Sequence, residues 1–228
     1  MVPAQFLGLE PHGPLATVRN GKVGSPEDGA CRTWAPRGSE WKSLDRFGKI
    51  VGTARVTLLD RYDVTNCDEL TLERTKGNNG AGLFVRGTYQ PLDIQPWELD
   101  DDELRGLRAA VKKRDARIPK AMSKKKDLPL AERMLAFQVA GQPRRVIVGG
   151  RGMTVYRHDK KRWIAEHEEL PCTLDGPKGS CPELLVWDVD MFEPVGVLDM
   201  NGDGRVEIVV HEAWIDSYGD VTLSPDAA

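Results

Sequence analysis

The segment whose residue types and spacing best suit chemistry is Asp199-Met-Asn-Gly-Asp-Gly-Arg-Val-Glu207. Asp199, Asn201 and Asp203 alternate and supply oxygen-bearing side chains. Gly204 permits the sharp turn that folds them round one point. The Arg205 carbonyl can add a further oxygen, and Glu207 can close the site with one or both carboxylate oxygens. Calcium takes about six to eight hard oxygen ligands in flexible geometry. The carboxylates of Asp199, Asp203 and Glu207, the Asn201 amide oxygen, a carbonyl and water provide such a set. Magnesium suits it less, because it keeps more of its own water and rarely uses an all-protein cage. Without a cation these acids crowd together and repel. The alternative use of the same residues is an Asx-rich β-turn with no metal.

The loop departs from an EF-hand, which closes with a Glu at the twelfth position. Here that position is Val210, and a strand-like stretch, Ile208–Val210, follows Glu207 in place of a helix. The run Val195-Gly-Val-Leu-Asp-Met-Asn-Gly-Asp-Gly-Arg-Val-Glu-Ile-Val-Val210 resembles the calcium loops of the FG-GAP/VCBS repeats, found in integrin-like propellers and many secreted bacterial proteins. Arg145-Val-Ile-Val-Gly-Gly-Arg-Gly-Met-Thr-Val-Tyr-Arg157 is similar to the strand–turn–strand that follows such a loop, without a calcium loop of its own. The resemblance covers about residues 143–215. It implies a Ca2+ ion held by Asp199, Asn201, Asp203, the Arg205 carbonyl and Glu207, bracing a β-hairpin without catalysis.

Other candidates carry weaker signals. His12, His158, His167 and His211 form no HExxH pair. His211 follows the loop on its strand, and Asp188 and Asp190 alternate, a spacing open to the paired carboxylates of a glycosidase. Together these define the rival reading, a secreted hydrolase working near the metal loop; plain polar strand positions are the simpler account. Gly149-Gly-Arg-Gly152 lacks the P-loop and dinucleotide-fold patterns and reads as a hairpin turn. Trp34, Trp41, Trp97, Trp163, Trp187 and Trp214 are many for a chain with 7% aromatics. Tryptophan on an exposed β-surface stacks on sugars or anchors partners; the simpler role is core filling. The basic stretch Lys112–Lys126 could meet an anionic surface, but reads first as a solvated helix end and loop.

Cys31, Cys67, Cys172 and Cys181 allow three pairings. Chain order favours Cys31–Cys67 and Cys172–Cys181, the latter enclosing the turn residues Asp175-Gly-Pro177. No CxxC or CxxH spacing points to zinc. Disulfides imply an oxidising compartment. Met1–Phe6 shows neither the basic nor the long apolar region of a signal peptide. Two readings remain: a cytosolic protein with four free buried thiols, or, as the disulfides favour, a secreted, periplasmic or cell-surface protein whose export signal lies outside this sequence.

The elements that must position the loop are mostly strands. Ile50–Leu59, Leu70–Glu73, Leu83–Thr88, Leu135–Val139, Arg145–Val148, Met153–Arg157, Arg162–Ala165, Leu184–Asp188, Pro194–Leu198, Val206–His211 and Asp220–Leu223 read as short strands with turn signals between them. Residues 1–45 are broken by Gly and Pro and offer only short strands near Leu15–Val18 and Cys31–Trp34. Asp100 and Glu103 open a helix, about residues 101–114, with Leu104, Leu107, Ala110 and Val111 on one stripe and Lys112-Lys-Arg114 at its end. The expected fold is mainly β with that one clear helix, as a partial propeller-like sheet or a β-sandwich. Its expected divisions are a β-rich unit over 1–95, a helix and basic linker over 96–130, and a calcium-loop domain over 131–228.

Length and composition bound the function. At roughly 100–200 residues per domain, 228 residues make one large or two small domains. A net charge of −3 argues against a dedicated nucleic-acid or polybasic membrane protein. No apolar run reaches the roughly 18–20 residues of a membrane span. These readings converge on a non-catalytic, exported, calcium-binding β-protein that serves binding or assembly, with a protein or polysaccharide partner at the cell surface.

Overall fold

The computed structural model describes residues 5–9, 13–19, 22–24, 36–60, 69–77, 80–118, 128–170, 192–213 and 218–223 of the chain. The described fold is mainly β, with open sheets and one α-helix among the described residues. The four cysteines lie outside the described residues, as do Trp34, Trp187, Trp214, Asp188, Asp190 and residues 119–127 of the basic stretch.

The first sheet is built from β1 (Gln5–Leu9), β2 (Gly13–Arg19), β3 (Lys22–Gly24), β4 (Glu40–Leu44), β5 (Ile50–Asp60), β6 (Glu69–Gly77) and β7 (Leu83–Arg86). Its order is β3-β2-β1-β7-β4-β5-β6. Strand β7 lies in its middle, pairing antiparallel with β1 and β4. Leu83, Phe84 and Val85 are all buried, and successive residues serve different cores. Phe84 packs with Trp41, Ala54, Val56 and Leu72. Leu83 and Val85 join Leu44, Tyr89, Leu198, Met200 and Val209. A strand covered on both faces reads as a continuous apolar run, which Leu-Phe-Val is.

The second sheet contains β8 (Ile94–Pro96), β9 (Met134–Val139), β10 (Arg145–Val148), β11 (Met153–Asp159) and β12 (Arg162–Glu169), in the order β12-β11-β10-β9-β8. Helix α1 (Asp101–Asp115) covers one face of it, packing Leu107 and Val111 on Val146, Val148 and Tyr156. Its start is a capping box: Glu103 N–H donates to Asp100 Oδ1 at 2.8 Å and Asp100 N–H to Glu103 Oε2 at 3.0 Å. The helix lies where the sequence places it. The strand expected over Met153–Arg157 is longer: β11 runs on to Asp159, and only Lys160 and Lys161 form the connection to β12.

A third sheet contains β13 (Phe192–Leu198), β14 (Glu207–Ala213) and β15 (Tyr218–Leu223). Contacts divide the chain into two compact units that are not contiguous stretches. One holds residues 1–94, 195–209 and 220–224, the other 95–194, 210–219 and 225–228. The loop Asp199–Glu207 falls in the unit that holds the N-terminal sheet.

Candidate metal centre

The loop between β13 and β14 is held in place from both ends. On its N-terminal side, Val197 N–H donates to Arg46 O at 2.9 Å and Arg46 Nε to Val195 O at 3.3 Å. Arg46 belongs to the β4–β5 turn, which Asp45 shapes by accepting the amides of Phe47 and Lys49, each at 2.9 Å. Leu198 and Met200, on either side of Asp199, are fully buried in the core that contains Tyr89. On the C-terminal side, Val206, Ile208 and Val209 are buried.

Within the loop Asp199 is the organising group. Its Oδ1 accepts the amides of Gly202 at 2.6 Å and Asp203 at 3.1 Å, and its Oδ2 that of Gly204 at 2.8 Å. Asp203 Oδ1 takes the Arg205 amide at 2.8 Å, and Asp203 Oδ2 the Asn201 side-chain amide at 3.1 Å. Glu207 Oε2 accepts Met200 N–H at 2.7 Å. Gly202 and Gly204 lie at φ +78° and +84° with open space where a Cβ would stand. Backbone conformation, rather than crowding, therefore demands glycine there.

Two of these carboxylates are deeply buried: Asp199 is 4% exposed and Glu207 3%. Burial of an acid without compensation is costly. Three amides compensate Asp199. Glu207 is less well served. Burial pushes its carboxyl up to about 7, against the Met200 hydrogen bond, and the charges of Asp199 and Asp203 raise it further. None of the ion pairs among the described residues brings a basic side chain to Asp199, Asp203 or Glu207. Tyr89 shares this acidic surrounding. Its hydroxyl donates to Gly48 O at 2.7 Å, and burial together with Asp199, Asp45 and Glu207 drives its pKa upward.

The oxygens offered here are all hard: carboxylates, an amide oxygen and backbone carbonyls. They suit calcium and do not suit a soft transition metal. Among the described residues, no three His, Cys, Asp or Glu side chains are drawn together as a closed metal cage. The loop's hydrogen bonds give the reason: its carboxylates point at its own amides. An ionised carboxylate has about four lone-pair sites, so amide bonding does not exhaust it. The oxygen types are those calcium takes, in a loop that Asp199 already folds through its own amides.

The other sequence candidates separate. His211 lies part-buried on β14, while Asp188 and Asp190 are outside the described residues. Trp41 is a core residue that donates Nε1–H to Ser39 Oγ at 3.1 Å. Trp97, His158 and Trp163 form one aromatic cluster, with ring centroids 4.8–5.6 Å apart. Trp163 Nε1–H donates to Glu103 O at 3.0 Å, beside the helix start.

The basic helix end is not simply solvated. Lys112 and Lys113 are exposed, but Arg114 is buried and holds the glycine turn. Arg114 Nη1 donates to Val148 O at 3.0 Å and Gly152 O at 3.1 Å, and Nη2 to Gly149 O at 3.3 Å. Asp115 accepts from Arg114 Nε at 2.8 Å. Arg133 Nη1 also donates to Gly149 O, at 2.8 Å. Gly149–Gly152 is a hairpin turn, as the sequence suggests, and Arg114 is the residue that sequence reading missed. The signal available was one arginine in register with Leu107 and Val111 on the helix stripe. Comparison with protein-family models, curated proteins and solved structures finds no match to this chain.

Proposed function

We propose that this is a calcium-binding β-protein in which Asp199, Asn201, Asp203, the Arg205 carbonyl and Glu207 hold one Ca2+ and thereby brace the β13–β14 connection. The carrying observation is the burial of Asp199 and Glu207 in one loop with Asp203 and no basic partner among the described residues. A dication relieves both the mutual repulsion and the desolvation of Glu207. Its contribution is local order and not chemistry: at ten times the dissociation constant, linkage adds about 1.4 kcal/mol. Sites of this strength are found in extracellular modules, where dissociation constants run to about 0.1–1 mM. Export is part of the proposal for that reason, and the resemblance to FG-GAP/VCBS loops supports it. The role that follows is non-catalytic: a braced β-surface for binding or assembly outside the cell.

Terbium tests the site. Tb3+ takes the same hard oxygens as calcium, and Tyr89 lies close enough to feel the charges of Asp199 and Glu207. Excitation of the aromatic side chains should give terbium emission that calcium competes away. Asp203→Ala should abolish it. Emission unaffected by calcium or by Asp203→Ala would defeat the proposal.

A further inference from the structure

Lys160 and Lys161 stand at φ +43° and +72°, the only non-glycine residues at positive φ among those described. They form the two-residue connection between Asp159 and Arg162, which pair across β11 and β12. Positive φ at both central positions is the signature of a type I′ hairpin turn, for which Asn-Gly is the favoured sequence. A side chain in this region is strained, and two lysines also repel each other.

Lys160, Lys161 and Arg162 are exposed and form no ion pair among the described residues. Lower on the hairpin Glu166 binds both Arg145 and Arg157, each at 2.8 Å, and Asp159, the one acid of the tip, is 3.8 Å from Arg157. Arg144 is brought beside the tip by its carbonyl, which accepts His158 N–H at 2.9 Å. Its guanidinium is held over Trp97 at 5.2 Å, 3.6 Å from Glu103, and remains partly exposed.

We propose that this hairpin tip, Lys160, Lys161 and Arg162 flanked by Arg144, binds an acidic polysaccharide chain. Three exposed cations without an ion pair among the described residues, with the partly exposed Arg144 at the same end of the sheet, make a local positive charge that complements a polyanion. A single nucleic-acid strand would call for free aromatic faces, and here Trp97 and Trp163 stack on each other with His158 tilted against both. A membrane-inserting tip would carry an apolar residue, and Asp159–Arg162 has none.

The test uses the full chain in EGTA, so that it does not depend on the calcium loop, with heparin as the probe and single-stranded DNA and phosphatidylserine vesicles as controls. Heparin should bind and should be released steeply by salt. Lys160→Asn with Lys161→Gly removes two charges and supplies the favoured turn. It should weaken binding about tenfold or more, since each cation facing an anionic surface contributes roughly a factor of five. It should at the same time raise the melting temperature by about 2–4 °C. Arg162→Gln, which leaves the turn alone, should weaken binding without that rise. Unchanged heparin affinity in these variants, or equal or tighter binding to DNA or vesicles, overturns the proposal, and a lower melting temperature for the double variant overturns the strain argued for the turn.

Discussion

Glu207 closes its loop by accepting the amide of Met200 at 2.7 Å, seven residues back, with almost no exposure to water. That bond fixes where β13 ends and β14 begins. It also makes Glu207 the group on which the charge balance of the loop turns, because only part of its carboxylate is compensated.

A pH dependence follows. The folded-state pKa of Glu207, about 7, lies above the ordinary carboxylate value of 4.5. The folded protein therefore holds a proton that the unfolded chain releases between these values. The stability this confers is complete below pH 4.5, shrinks as the pH rises, and is gone above about 7. In chelator, stability should fall by about 3 kcal/mol across that window, and Glu207→Gln should remove the slope. Calcium binds the ionised form, so added calcium should flatten the same slope. Urea melts at pH 5, 6 and 7.5, with and without calcium, read all of this.

Gly48 is tied to the loop through Tyr89 and Leu198. A Cβ at Gly48, which has φ +71°, would stand 2.5 Å from the Tyr89 hydroxyl and 2.9 Å from Leu198 Cβ. Gly48→Ala should thus strain the turn, break the Tyr89 hydrogen bond and push Leu198 against Asp199. The expected cost is about 2–4 kcal/mol, with weaker calcium affinity in calorimetry. Tyr89→Phe, which keeps the ring and loses the hydrogen bond, should cost about 1 kcal/mol.

Arg114 should be among the most sensitive positions of the second sheet. Its removal leaves the carbonyls of Val148, Gly149 and Gly152 without their shared donor and Asp115 without its nearest cation. Arg114→Ala should destabilise by about 3–5 kcal/mol. Arg114→Lys should rescue little, because an ammonium cannot reach these carbonyls as a planar fork does. Chemical denaturation of the two variants, beside Lys113→Ala as an exposed control, measures the difference.

What could be read from the sequence was what is local. The helix Asp101–Asp115 was legible because its cap, stripe and closing charges lie within sixteen residues. Strand Arg145–Val148 was legible as an apolar run between turns. Strand β4, Glu40–Leu44, was not: it is short, preceded by Pro36 and Gly38, and is held as a strand by β5 and β7 on either side. The same divide runs through the site. Asp199–Glu207 announced its turn through its own spacing. Tyr89 and Gly48, which line it, come from more than a hundred residues earlier, and no local pattern connects them. Arg114 resembled its lysine neighbours because only the fold distinguishes the buried side of a helix end.

A cation that completes the Asp199–Glu207 loop should stabilise the whole chain. The most direct test is the melting temperature of the full chain in 1 mM calcium against EGTA at equal ionic strength. Calcium should raise it by about 3–5 °C, equivalent to about 1.4 kcal/mol at ten times the dissociation constant, and should leave Asp203→Ala unchanged. Superimposable melting curves with and without calcium would contradict it, and would leave the loop a polar turn satisfied by its own amides.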